Sequence, residues 1–185
     1  MEHTAERWLQ KSAEMFLRNQ DMREGQKVVD FGCNNGNYTI PAARIVGETG
    51  TVYAIDKDKT GLQELKHAVR DEALENVHFI QIKDGKKIPL PVGHVDMVLL
   101  YDVLHRGYMP EAAQRERLLR QVYQVLKPNG LLSFYPTHIR KYGITLNQVL
   151  KEVKSVGFQF RQKSRRTLVH DGKLVRGYVF KFSKC

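Results

Sequence analysis

Residues 95–101 read Val-Asp-Met-Val-Leu-Leu-Tyr, an almost unbroken apolar run. A strand with one face in water alternates apolar and polar residues; a run this apolar predicts a strand buried on both faces, as in a parallel sheet covered by helices. Similar strand patterns recur at Lys27 to Phe31, Thr51 to Ile55, Val77 to Ile82 and Leu131 to Tyr135. Between them lie helical patterns at about Tyr38 to Val46, at Leu62, Leu65, Ala68 and Val69, and at Glu111 to Leu126. An amphipathic helix over Ala5 to Gln20 precedes the series. Another, about Leu146 to Val156, follows it and stops at Gly157.

Two strand-like runs close the chain, Phe158 to Val169 and Leu174 to Phe182, joined at Asp171-Gly172, a strong hairpin signal. The expected fold class is α/β: a doubly wound, Rossmann-like sheet of seven strands, mostly parallel with an antiparallel C-terminal hairpin, and helices on both faces. Ligands of such sheets bind outside the carboxyl ends of the strands, at the point where the strand order reverses. With 185 residues, 42% hydrophobic and 27% charged, the expectation is one domain over 1–185. Within it, 1–22 forms an N-terminal helix covering the site, 27–136 the ligand-binding core, and 144–185 the last helix and hairpin.

Only two cysteines occur, Cys33 and Cys185, which suits a reducing compartment and predicts a cytoplasmic protein. Charges run through Met1 to Gln20 and no segment approaches the roughly 20 apolar residues of a membrane span, so neither an export signal nor a membrane partner is expected. The net charge of +10 is uneven: residues 1–136 hold 18 Lys+Arg against 18 Asp+Glu, and residues 137–185 hold 12 against 2. A basic flank of this kind is either a footprint for RNA or a solvated sheet edge.

The chemistry concentrates in Val28-Val29-Asp30-Phe31-Gly32-Cys33-Asn34-Asn35-Gly36-Asn37. A buried strand ends in an acid and a glycine turn enters a helix, whose free N–H groups suit a carboxylate or phosphate. The dinucleotide fingerprint G-x-G-x-x-G fails, because Asn34 and Asn37 stand where two glycines are required. What remains is Asp-x-Gly-x-Asn-x-Gly. This resembles motif I of the class I S-adenosylmethionine-dependent methyltransferases, with Asn34 in place of the middle glycine; Asn tolerates the positive φ that position demands.

Four further segments resemble the same family in order: Val52-Tyr53-Ala54-Ile55-Asp56, Gln81-Ile82-Lys83-Asp84-Gly85, the strand from Val95 through Tyr101 and Asp102 to His105, and Leu126-Lys127-Pro128-Asn129-Gly130. Together they cover 27–136, and the terminal hairpin matches the antiparallel seventh strand of that fold. The resemblance is to the small-molecule, ubiquinone-methyltransferase-like group. It implies S-adenosylmethionine as cofactor, leaving as S-adenosylhomocysteine, held by Asp30, Gly32, Cys33, Asn34, Gly36, Asp56, Lys57, Asp84, Gly85 and Tyr101. Asp56 corresponds to the acid that accepts from the ribose hydroxyls, and Asp84 to the one near the adenine amino group.

Methyl transfer from a sulfonium is an in-line displacement, so positioning and water exclusion dominate and a general base is optional. The candidates for catalysis are Tyr101, Asp102 and His105 after the fourth strand, with Tyr135 and His138 after the fifth. The family's paired histidines are represented by His105-Arg106. Asp102 with His105 is too small a set for a metal, so none is expected. Cys33 is expected to pack rather than react, and Trp8 and Phe16 to cover the sheet or act as a lid. The acceptor is expected to be a small molecule. The alternatives are RNA held by the basic flank, or a non-catalytic protein that binds the donor. Arsenite chemistry is disfavoured because the cysteines it needs are missing.

Overall fold

The computed structural model describes residues 5–83, 87–138, 141 and 143–185. Seven strands form one sheet: β1 Lys27–Phe31, β2 Thr51–Asp56, β3 Val77–Gln81, β4 Val95–Tyr101, β5 Leu126–Tyr135, β6 Gln159–His170 and β7 Lys173–Ser183. Among the described residues six helices accompany them: α1 Ala5–Lys11, α2 Ala13–Arg18, α3 Thr39–Val46, α4 Lys59–Asp71, α5 Ala112–Val125 and α6 Leu146–Ser155. The strand order is β3-β2-β1-β4-β5-β7-β6. β1 to β5 run parallel, and β7 pairs antiparallel with both β5 and β6. The chain reverses direction across the sheet between β1 and β4, which places the crevice there.

The alternation of side chains along the central strands explains their composition. Val28, Met97, Leu99 and Tyr101 enter one core with α1 to α4, while Val29, Phe31, Val98 and Leu100 enter the other with α5 and α6. Both faces need apolar residues, so β4 reads as a continuous run. The hairpin turn is as its dipeptide predicts, with Asp171 at φ 47° and Gly172 at φ 68°.

Two elements differ from the sequence reading. The N-terminal helix is broken at Ser12, which carries no side-chain cap bond. On either side of the break Trp8 and Phe16 both turn inward, their rings 6.0 Å apart and each about 6 Å from Tyr38. β5 begins earlier than residue 131: Leu126 pairs with Val95 and Leu131 with Met97, so residues 127–130 loop out of the ladder. Asn129 takes φ 63° in that loop, and its N–H donates to the Lys184 carbonyl.

Part of the basic flank is sheet edge. β6 is the outer strand, with Arg161, Lys163 and Arg165 exposed along it. Lys163 lies 4.1 Å from the centre of the Tyr178 ring, buried Lys181 pairs with Asp21, and Lys184 donates to the Leu126 carbonyl. Charge along an outer strand blocks edge-to-edge pairing. Among the described residues no helix is long and apolar enough to cross a membrane.

Candidate functional site

The turn after β1 adopts the backbone its residues suggest, with Gly32, Asn34 and Gly36 at φ 79°, 45° and 92°. Packing also forbids side chains at two of these positions. A Cβ on Gly32 would stand 2.7 Å from Val103 Cγ2, and one on Gly36 2.1 Å from Leu65 Cδ1. Asn34 accepts the left-handed conformation at small cost. Cys33 is buried, and burial followed by the nearby Asp30 and Asp56 carboxyls pushes its thiol far above the usual range, as expected of a packed cysteine.

Asp56 ends β2 and clasps this turn. Its Oδ2 accepts the Asn34 N–H at 2.8 Å and its Oδ1 the Asp58 N–H at 2.9 Å. Each carboxylate oxygen can accept a second hydrogen bond, so capacity for a ligand remains. Asp30, also buried, accepts the Thr39 hydroxyl at 2.6 Å. Burial pushes its carboxyl up to about 7; the Thr39 bond opposes this and Asp56 adds to it.

Asp30, Asp56 and Lys57 line a cavity of about 320 Å³ at the carboxyl ends of the strands, together with Asp102, His138 and His170. Lys57 and Tyr108 also line an adjoining cavity of about 210 Å³ beside Ile82 and Lys83, where Lys57 Nζ lies 4.4 Å from the Tyr108 ring centre. Asp84 and Gly85 follow in the chain but lie outside the described residues. Among the described residues none from α1 or α2 lines the larger cavity; Trp8 and Phe16 pack against Tyr38 and Tyr101.

Tyr101 is buried, with its hydroxyl 2.7 Å from Ser133 Oγ and its ring edge-on to Tyr38 at 4.8 Å. Burial pushes that phenol well above the usual range, so the hydroxyl keeps its proton. Asp102 follows at φ 56°, its N–H on the Tyr135 carbonyl. His105 Nδ1 accepts the N–H groups of Gly107 and Tyr108 at 3.0 and 3.2 Å, which puts the ring proton on Nε2, 3.0 Å from the Asp102 carbonyl. Burial lowers its basicity despite the nearby carboxyl. His105 is thereby occupied in shaping the loop after β4.

The remaining polar groups of this end of the cavity come from other strands. His138, at φ 52° after β5, has Nδ1 3.2 Å from Asp102 Oδ2. His170, at the end of β6, has Nδ1 3.5 Å from the same oxygen, and the Nε2 atoms of the two rings are 3.2 Å apart. Asp171 Oδ2 lies 3.6 and 3.5 Å from those Nε2 atoms. Burial raises the Asp102 carboxyl, while the three surrounding histidines hold it down. His170 was not singled out from the sequence. Its signal is topological: β7 runs antiparallel to β5, so the turn feeding β7 must lie at the carboxyl end of the sheet, above the crevice.

A methyltransferase-domain family matches residues 28–130. The ubiquinone/menaquinone biosynthesis C-methyltransferase UbiE of Vibrio vulnificus is 32% identical over 111 residues, which is 60% of this chain and 40% of that protein. The chain thus matches less than half the length of such relatives. Among solved structures, a SAM-dependent methyltransferase from Aquifex aeolicus superposes with a TM-score of 0.76 at 22% identity, over 97% of this chain and 93% of that one. Another, from Methanosarcina mazei, gives 0.72 at 16%, over 91% and 96%. These two likenesses establish the fold, and the family match over more than half of the sequence establishes the kinship: the chain belongs to the class I S-adenosylmethionine-dependent methyltransferase family.

Proposed function

We propose that this chain transfers a methyl group from S-adenosylmethionine to a small-molecule acceptor, and that its likeness to a C-methyltransferase points to methylation at carbon. The observation that carries the reading is the clasp between the Gly32–Asn34–Gly36 turn and Asp56, open to a cavity at the strand-order reversal. In this reading Asp56 accepts from the ribose hydroxyls, and the turn lets the donor approach the backbone. Asp30 faces the donor's ammonium end, while Lys57 borders the adenine. S-adenosylmethionine supplies a methyl group on a sulfonium, displaced in line by the acceptor. The protein's contribution is to hold the two in register and keep water out.

Tyr101 forms the wall between donor and acceptor, and Asp102 with His105 organises the acceptor end. RNA as acceptor is not favoured, because Lys57 is the only Lys or Arg among the described residues lining the cavity. The test is calorimetric titration with S-adenosylhomocysteine, followed by transfer of labelled methyl from the donor to metabolite extract and to total RNA. Binding with label in a small molecule is expected. Absence of binding refutes the reading, and binding without transfer to either pool leaves a non-catalytic donor-binding protein.

A further inference from the structure

We propose that Asp102, His138 and His170 form a binding site for one first-row divalent transition-metal ion at the acceptor end of the cavity. The three residues arrive from the carboxyl ends of β4, β5 and β6, and one ligand atom from each lies within 4.8 Å of the others. Asp102 Oδ2 stands 3.2 Å from Nδ1 of His138 and 3.5 Å from Nδ1 of His170. Ligands bound to one ion at about 2.0–2.2 Å stand about 3.0–3.5 Å from each other, so both carboxylate–imidazole spacings already suit a shared ion. The second oxygen of this carboxylate, Oδ1, is buried, accepts no hydrogen bond and lies 3.6 Å from His105 Nε2.

The surroundings suit a cation. The Nε2 atoms of the two rings are 3.2 Å apart, with Asp171 Oδ2 3.6 and 3.5 Å from them, so the ring nitrogens converge between two carboxyl groups.

The donor set selects its class. Two imidazoles with one carboxylate and no thiolate suit Zn²⁺, Fe²⁺, Co²⁺ or Mn²⁺, whereas Mg²⁺ and Ca²⁺ prefer oxygen ligands alone. His105, whose Nε2 lies against the Asp102 carbonyl and carboxylate, steadies the ligand from behind. Three protein ligands leave coordination positions open, and all three residues line the cavity that holds Asp30 and Asp56. Resting on the methyl-donor reading of that cavity, the ion's role is to hold the acceptor by an oxygen or nitrogen atom beside the donor.

The test uses untagged, chelator-stripped full-length protein with Cys185→Ser to remove the exposed thiol as a stray ligand. Co²⁺ is titrated by visible absorption and Zn²⁺ by calorimetry, and S-adenosylhomocysteine is titrated on the same samples. One ion per chain is expected, with Mg²⁺ unable to compete. His138→Ala and His170→Ala should each weaken binding by more than the roughly 10–100-fold that loss of a supporting partner costs, and His105→Gln should fall within that range. Retained S-adenosylhomocysteine binding shows that a variant is folded; His170, on the hairpin turn, provides the safer substitution. No uptake, or uptake that survives both histidine substitutions, overturns the proposal and leaves a proton as the cation between the rings. Metal uptake without S-adenosylhomocysteine binding overturns the methyl-donor reading instead and leaves the metal site standing.

Discussion

Asn34 donates its backbone N–H to Asp56 Oδ2 across 2.8 Å, joining the turn after β1 to the end of β2 over 22 residues of sequence. The same carboxylate holds the start of α4 through the Asp58 N–H. One side chain thus sets the distance between two loops that flank the cavity, which gives Asp56 a structural duty beside the binding role proposed for it.

Asp56→Ala removes both charge-assisted bonds, each worth about 1.5–3 kcal/mol, together with the ligand's acceptor. S-adenosylhomocysteine affinity should fall by about a hundred-fold or more. Asp56→Asn should also weaken binding, because its NH₂ must face one of the two N–H donors. Calorimetry checks affinity, and urea unfolding of the same variants separates the loss of the clasp from the loss of the ligand contact.

Gly36→Ala places a Cβ 2.1 Å from Leu65 Cδ1 at a φ of 92°. Overpacking and backbone strain together should cost about 2–4 kcal/mol, read as a lower urea midpoint. Asn34→Gly at φ 45° restores the residue usual to the motif, and should leave stability within about 1 kcal/mol and donor affinity unchanged.

Asp30 makes pH a probe of the site. Its carboxyl titrates near 7 in the folded chain against an ordinary 3.8, so between those values the folded state holds a proton that the unfolded state has released. The Asp30 contribution to stability is therefore greatest at low pH, declines as pH rises from about 4 to about 7, and is level above. The melting-temperature difference between the parent and Asp30→Asn should follow that curve. Donor binding should show the opposite slope: affinity for S-adenosylhomocysteine rises through about pH 7 as Asp30 ionises to meet an ammonium, and Asp30→Asn flattens it. A parent profile as flat as the variant's would remove Asp30 from the site.

The two thiols should behave differently. Cys185 is exposed, while Cys33 is buried with its thiolate strongly disfavoured. Intact-mass measurement after iodoacetamide should therefore find one label on the native chain and two after unfolding in guanidinium.

The sheet was legible because its signals are local. Apolar runs with period two, helical stripes between them and an Asp-Gly turn each depend on residues close in sequence, and the observed strands follow those patterns within a few positions. The break at Ser12 was not legible, since it depends on how Trp8 and Phe16 pack against Tyr38 and Tyr101. The turn at Gly32, Asn34 and Gly36 and the acid at Asp56 were readable as structure for the same reason as the strands: a turn's backbone demands show in its own residue types, and that they hold the donor is proposed. Asp84 and Gly85 carry the same kind of signal.

The acceptor side shows the contrast. His105 drew attention because it follows a recognisable strand, yet its Nδ1 is committed to the N–H groups of Gly107 and Tyr108. His138 and His170 are 32 residues apart, and no spacing rule links them to Asp102. The chain's own sequence determined the α/β order, the parallel core and the glycine turn, because period, turn chemistry and burial are written residue by residue. Only the tertiary structure decided which side chains share the cavity, because the antiparallel return of β7 carries the hairpin turn over the strand ends and brings His170 to the carboxylate of Asp102.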